Sequence, residues 1–147
     1  MRDNSYLENL LYTIWEEYFA DIPRQNLVLI KFGKHSKRQL GSISLIKDKQ
    51  SVKRYIGDRN DIDIKNISVI RITRYFAYPE VPEFLIVSTI AHELCHYAHG
   101  FNSPLSRKYS HPHKGGVVTK ELKGRGLYSV TKESKVWLKE NWRNIVS

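Results

Sequence analysis

The stretch Ala91-His92-Glu93-Leu94-Cys95-His96-Tyr97-Ala98-His99-Gly100 constrains this chain more than any other. In a helix, residues four apart stand one turn above each other on one face, so His92 and His96 converge on a common point. Glu93 projects about 100° round from His92 and stands beside that point. This is the His-Glu-x-x-His pattern, in which the two imidazoles bind zinc and the carboxylate acts as a base. Only three residues are specified, so the pattern carries weight only on a helix that buries one side and leaves its histidines at a cleft. Phe84, Val87, Ala91, Leu94 and Ala98 supply the buried side as one apolar stripe, with His92 and His96 on its margin. Pro82 suits the first helical position and Gly100 stops the helix.

The rest of the chain must give this helix something to pack on. Ser5-Tyr6-Leu7-Glu8 reads as a capping box with Ser5 as N-cap. Leu7, Leu10, Leu11, Ile14, Trp15 and Tyr18 follow at helical spacing, which predicts an amphipathic helix over 6–20, broken by Asp21-Ile22-Pro23. Strands are predicted at 27–32, 41–46 and 67–76, the last with Ile70 and Ile72 alternating with Arg71 and Thr73. Residues 51–66 are polar and expected to be irregular, with Tyr55-Ile56 as their core contact. A short helix is predicted over 117–123, and a final one capped by Thr131 with Val136, Trp137, Leu138, Trp142 and Ile145 on its apolar side. The expected class is α+β: one domain, residues 1–147, with a small twisted antiparallel sheet packed on helices.

Composition narrows the function. With 147 residues and 41% hydrophobic side chains the chain builds one core and is too short for two. No apolar run approaches the ~20 residues of a membrane span. The start, Met1-Arg2-Asp3-Asn4-Ser5, has no signal-peptide hydrophobic region, so a soluble, cytoplasmic protein with no membrane partner is expected. Cys95 is the single cysteine, which excludes an internal disulfide and a multi-cysteine zinc finger; it reads as a small buried hydrophobe. The net charge of +9 is uneven, because residues 101–147 hold ten Lys/Arg against three Glu, a net +7. That asymmetry fits a negatively charged partner, nucleic acid foremost, or ordinary solubility charge on exposed helices.

A catalytic zinc takes three protein ligands and leaves the fourth position to water. His99 shares the helical face of His92 and His96 but lies a turn beyond them, so its ring is expected to point past the ion, near the negative end of the helix dipole. Glu121 would complete a set of two His and one Glu. His111 is held extended by Pro112, and His113 stands just before Gly115 and Gly116, where a loop can return it to the cleft. Spacing leaves both His111 and His113 open. The longer pattern that adds Gly and a third His to the motif is absent, since those positions hold His99 and Asn102.

From about Leu10 to Gly126 the chain resembles the SprT-like zinc metalloprotease domain, the Spartan-related group. The resemblance rests on the first helix ending in Tyr18-Phe19, the strand with Val28 and Ile30, the Gly41 turn, the Ile70-Arg71-Ile72 strand, the motif helix and a later histidine. The family's third-ligand segment is His-Gly-x-x-Phe-like; the matching stretch here is His113-Lys114-Gly115-Gly116-Val117, which departs from it at Lys114 and Val117. The zinc ribbon of some members cannot form with one cysteine. The resemblance implies a zincin-like fold, Zn2+ held by His92, His96 and His113, Glu93 as catalytic base, and hydrolysis of peptide bonds in DNA-associated or DNA-crosslinked proteins. Lys120, Lys123, Arg125, Lys132, Lys135, Lys139 and Arg143 are then candidate phosphate contacts, with Trp137 and Trp142 as candidate base-stacking residues. Residues 70–73 would pair with an extended substrate if they form a sheet edge. Tyr109 is either a donor to the developing oxyanion or a packing residue. The competing reading is a non-enzymatic nucleic-acid-binding module whose metal is structural or absent.

Overall fold

The computed structural model describes residues 1–57 and 64–147. The elements run α1 (Asn4–Tyr18), β1 (Leu27–Phe32), β2 (Gly41–Ile46), α2 (Lys49–Ile56), β3 (Ile67–Ile72), α3 (Glu83–Ala98), α4 (Val117–Gly124) and α5 (Tyr128–Val146). The α+β class is as expected, but the sheet is mixed and not antiparallel. β3 lies in the middle, parallel to β1 (Leu27 opposite Ile67, Phe32 opposite Ile72) and antiparallel to β2 (Gly41 opposite Ile72, Ile46 opposite Ile67). The composition of β3 explains the order. Ile67, Ser68, Val69, Ile70 and Ile72 are all buried, and a strand apolar on both sides belongs at the centre of a sheet covered on both faces. β1 and β2 run in opposite directions, as hairpin neighbours would, yet β3 is inserted between them. Residues 70–73 therefore do not form an edge; the edges belong to β1 and β2.

The third strand also ends earlier than expected, at Ile72 instead of Phe76. Thr73 turns the chain. Its hydroxyl donates to the Ser36 carbonyl at 2.8 Å and accepts from the Ser36 N–H at 3.0 Å, and Arg74–Ala77 form a 3-10 turn.

Each face of the sheet has its own cover. Ile30, Phe32, Ile43, Ile70 and Ile72 face α1 and α3 and share a core with Leu7, Leu11, Ile14 and Trp15. On the other side Ile67 and Val69 pack on Val52 of α2, with Tyr55 and Ile56 around them. α2 occupies part of the stretch expected to be irregular; residues 58–63 of that stretch lie outside the described residues. Its apolar positions, Val52, Tyr55 and Ile56, have i, i+3, i+4 spacing. Asp48 caps it by accepting from the Ser51 N–H at 3.1 Å, and Gly57, at φ +64°, ends it. A sheet with an apolar second face stabilises this polar segment as a helix.

Two helix starts differ from expectation. Asp3, not Ser5, caps α1: its carboxylate accepts from the Tyr6 N–H at 2.9 Å, and Ser5 is already helical. α5 begins at Tyr128, and Thr131 spends its hydroxyl on the Leu127 carbonyl at 2.9 Å inside the helix. α3 crosses the middle of the molecule, against the sheet, α1, α4 and α5. It buries Leu85, Ile86, Ile90 and Tyr97 as well as Ala91 and Leu94 of the expected stripe, while Phe84, Val87 and Ala98 are only half-buried. Among the described residues, no helix is long and apolar enough to cross a membrane.

The cap assignment is testable by denaturant unfolding. Asp3→Ala should cost about 1 kcal/mol of stability, whereas Ser5→Ala should stay within about 0.5 kcal/mol of the parent.

Candidate metal centre

Three short pieces of chain build the site. The last turns of α3 present His92 and His96, whose ring centroids are 4.8 Å apart at 81°. The chain leaves the helix through Gly100 at φ +82°, where a β-carbon would lie 2.5 Å from the Ser106 carbonyl oxygen, so only glycine fits. Phe101 N–H then bonds the His96 carbonyl at 2.9 Å, and the Ser103 hydroxyl bonds that of Tyr97 at 2.8 Å. These bonds satisfy carbonyls at the helix end and fold the following loop back over the motif. The loop returns His113 to the pair. Its ring centroid lies 4.6 Å from that of His96, and its Nε2 lies 3.4 Å from Nε2 of His92.

One ligand atom from each of His92, His96 and His113 lies within 4.8 Å of the others, close enough to hold one metal ion. Two nitrogens about 2.0–2.1 Å from a tetrahedral ion stand roughly 3.3–3.4 Å apart. The 3.4 Å between His92 and His113 matches that edge and is long for a hydrogen bond. Burial pushes the His92 imidazole down to about 4, helped by the neighbouring His113, and burial does the same to His96, helped by His92, His113 and His99. Both rings are therefore neutral near pH 7 and offer lone pairs, as metal binding requires. His96 Nδ1 is buried with no hydrogen-bond partner among the described residues. The residues present fit a metal ion.

Glu93 is 4% exposed, and burial pushes its carboxyl up to about 7. It stands between the histidines and the start of β2. A β-carbon on Gly41 would lie 2.7 Å from Thr89 Cγ2 and 3.4 Å from Glu93 Cγ, so the glycine lets the strand lie against α3 at the glutamate. The space in front of this contact is an open groove of about 560 Å3, bounded by α3, residues 38–43, α5 and the His113 loop. Leu40, Leu85 and Leu138 line it beside the histidines.

The remaining sequence candidates lie elsewhere. His111 is exposed and outside the cluster. His99 is 1% exposed and turns to Glu121, with Nε2 2.8 Å from Oε1, so neither residue is a ligand. Tyr109 packs edge-on against His99 with centroids 4.8 Å apart, which gives it the packing role and not the oxyanion one. Cys95 is fully buried, and burial pushes its thiol up to about 12. Arg125 does not belong to a free basic face. It pairs with Asp21 at 2.6 Å and Glu121 at 2.8 Å, and its side chain is 12% exposed. Lys120, Lys123, Lys132, Lys135, Lys139 and Arg143 are exposed, and none is in an ion pair among the described residues. Trp142 packs edge-on against Tyr75 and Phe76 and donates to the Lys37 carbonyl at 2.9 Å; Trp137 is half-buried against the core. Trp142 is thus committed to packing within the fold, whereas Trp137 keeps part of its ring on a surface hollow with Phe84 and Val136. Reasoning from the sequence missed the Gly41 contact with Glu93 and the His99–Glu121–Arg125–Asp21 chain; the Glu121–Arg125 link has the i, i+4 spacing that could have shown it, whereas the other contacts join distant parts of the chain.

The ligand set predicts that His113→Ala lowers the metal content of purified protein, by elemental analysis after dialysis, while His111→Ala leaves it at the parent value. Comparison with protein-family models, curated protein sequences and solved structures finds no match to this chain.

Proposed function

We propose that the chain is a zinc-dependent peptidase of the zincin-like, SprT-like type. The observation that carries this reading is the placement of Glu93, a buried carboxylate beside three clustered imidazoles at the floor of an open groove. A structural site is closed by four protein ligands; here the described residues supply three, which leaves a position open to the groove. Imidazole nitrogens suit zinc, and His92, His96 and His113 would hold it. When bound, zinc supplies Lewis acidity toward a carbonyl oxygen and lowers the pKa of water from about 15.7 toward 7.

The protein's own part is positioning and proton transfer. Glu93 takes the proton of the attacking water on its carboxylate and delivers it to the departing amide nitrogen. A carboxyl near 7 in the free protein is well matched to both steps, and a neighbouring dication would favour its ionised form. β2 is an edge strand whose first residue, Gly41, adjoins Glu93. An extended peptide added along that edge gains backbone hydrogen bonds without demanding a sequence, while Leu40, Leu85 and Leu138 receive an apolar side chain. This role passes to β2 from residues 70–73, which lie at the centre of the sheet.

Nucleic-acid binding is a second reading, favoured by the six exposed cations of α4 and α5 that have no ion-pair partner among the described residues. It is compatible with the peptidase, as DNA-associated substrates would require, or stands alone if the metal is structural. Sequence-independent phosphate contacts would make that binding steeply salt-dependent.

Glu93→Gln separates the readings. Peptide-hydrolysis assays should show turnover falling by at least about a hundredfold with metal content unchanged; full activity in the variant would rule out the base. For DNA, log K plotted against log salt should have a negative slope, made shallower by Lys135→Ala or Lys139→Ala. Absence of binding at moderate salt would remove nucleic acid from the account.

A further inference from the structure

His99, at 1% exposed, is a buried imidazole that the proposed chemistry leaves unused. It caps α3 and makes contacts in three directions. Its carbonyl accepts from the Lys108 N–H at 2.9 Å. Its ring lies edge-on to Tyr109 with centroids 4.8 Å apart, and its Nε2 meets Glu121 Oε1 at 2.8 Å. His113 lies between these anchors in sequence, four residues after Tyr109 and eight before Glu121. Both ends of the segment that carries the third imidazole are therefore tied to one side chain, which itself sits one turn beyond His96.

The far end of the clamp is also fixed. Burial alone would raise the Glu121 carboxyl, but the His99 hydrogen bond and the Arg125 charge outweigh it and hold it below the usual range. Its second oxygen accepts from Arg125 Nε at 2.8 Å, and Arg125 reaches the Tyr18 carbonyl at 2.7 Å and Asp21 at 2.6 and 3.0 Å. α4 is thus braced against the end of α1 as well as against α3. By contrast, the turn that links His113 to α4 has Gly115 and Gly116 at φ +75° and +67°, with nothing within 4 Å of where their β-carbons would be. Local packing does little to hold His113; the anchors on either side must.

We propose that His99 is a positioning residue for the third metal ligand: through Tyr109 and Glu121 it holds the His113 segment where its imidazole closes the set with His92 and His96. This rests on the metal reading above but not on the peptidase chemistry, so its test reads metal binding alone. His99→Phe keeps a ring against Tyr109 and removes the bond to Glu121; Glu121→Ala removes the same bond from the half-buried side, and carries the test if the first variant does not fold.

Zn2+ affinity of the full chain, measured by competition with a chromogenic chelator, should fall about tenfold or more in either variant, the range seen when groups orienting a ligand are lost. The absorption spectrum of the Co2+-loaded protein should shift with loss of a nitrogen ligand. Glu121→Gln, which keeps an acceptor oxygen for His99 but gives up the one that takes the Arg125 bond, should retain more affinity than Glu121→Ala. In a His113→Ala background, adding His99→Phe or Glu121→Ala should change affinity by less than about twofold, because the clamp then has no ligand to place. Parent-like affinity and Co2+ spectra in the clamp variants would overturn the positioning role. So would an equal loss with and without His113, which is what general loosening of the fold produces. A parent protein that binds neither metal would overturn the metal reading itself, an outcome separable from the other two.

Discussion

The burial of α3 sets the terms for everything else in this molecule. A helix packed on a sheet and on three other helices can carry polar side chains only where it reaches a groove or meets a partner. Glu93, His96 and His99 are all nearly enclosed, and each answers that requirement differently. His99 turns one nitrogen to the Glu121 carboxylate, while His96 and Glu93 line the groove. The low dielectric that favours packing also disfavours charge, pushing the His96 imidazole down to about 4 and the Glu93 carboxyl up to about 7. The proposed ligand and base roles would thus follow from the same packing that stabilises the helix.

The sheet order follows from a related constraint. β3 is apolar on both faces, so it takes the centre, and β2 is displaced to an edge alongside α3. The contact between that edge and the helix is close because Gly41 has no side chain to keep them apart. A strand that is an edge among the described residues and lies beside a buried carboxylate is produced by one glycine and one insertion of a strand, neither of which is a property of the His-Glu-x-x-His motif.

Local features were legible in the sequence and nonlocal ones were not. The stripe of Leu7, Leu11, Ile14 and Trp15 announces α1, and the β-branched runs announce three strands, because periodicity is written within a dozen residues. Ser5 was mistaken for the cap of α1 since Asp3 and Ser5 are both capping residue types and only backbone geometry separates them. α2 has the right spacing at Val52, Tyr55 and Ile56, but its polar composition hides a helix that exists to cover a sheet face. Strand order is decided by burial on two faces, which a list of strands does not contain. At the site, His92, Glu93 and His96 were evident from spacing; His113, twenty-one residues from His92, was one of two open histidines until a loop closed on the helix. Arg125 looked like its basic neighbours, and its partner Asp21 stands 104 residues away.

That last pairing changes how the C-terminal charge acts. With Arg125 committed inside the protein, the remaining cations of α4 and α5 lie on surfaces reached from solvent, and Lys135 also lines the groove. The shifts of His92, Glu93 and His96 come from burial and neighbouring histidines and not from these cations. Their effect would be on encounter: a polyanion drawn to α4 and α5 would approach the groove along its α5 side, where Thr131, Lys135 and Leu138 line it. Substrate binding and charge attraction would then use different walls of one groove, and His113, which lies just ahead of α4, would stand where the two meet.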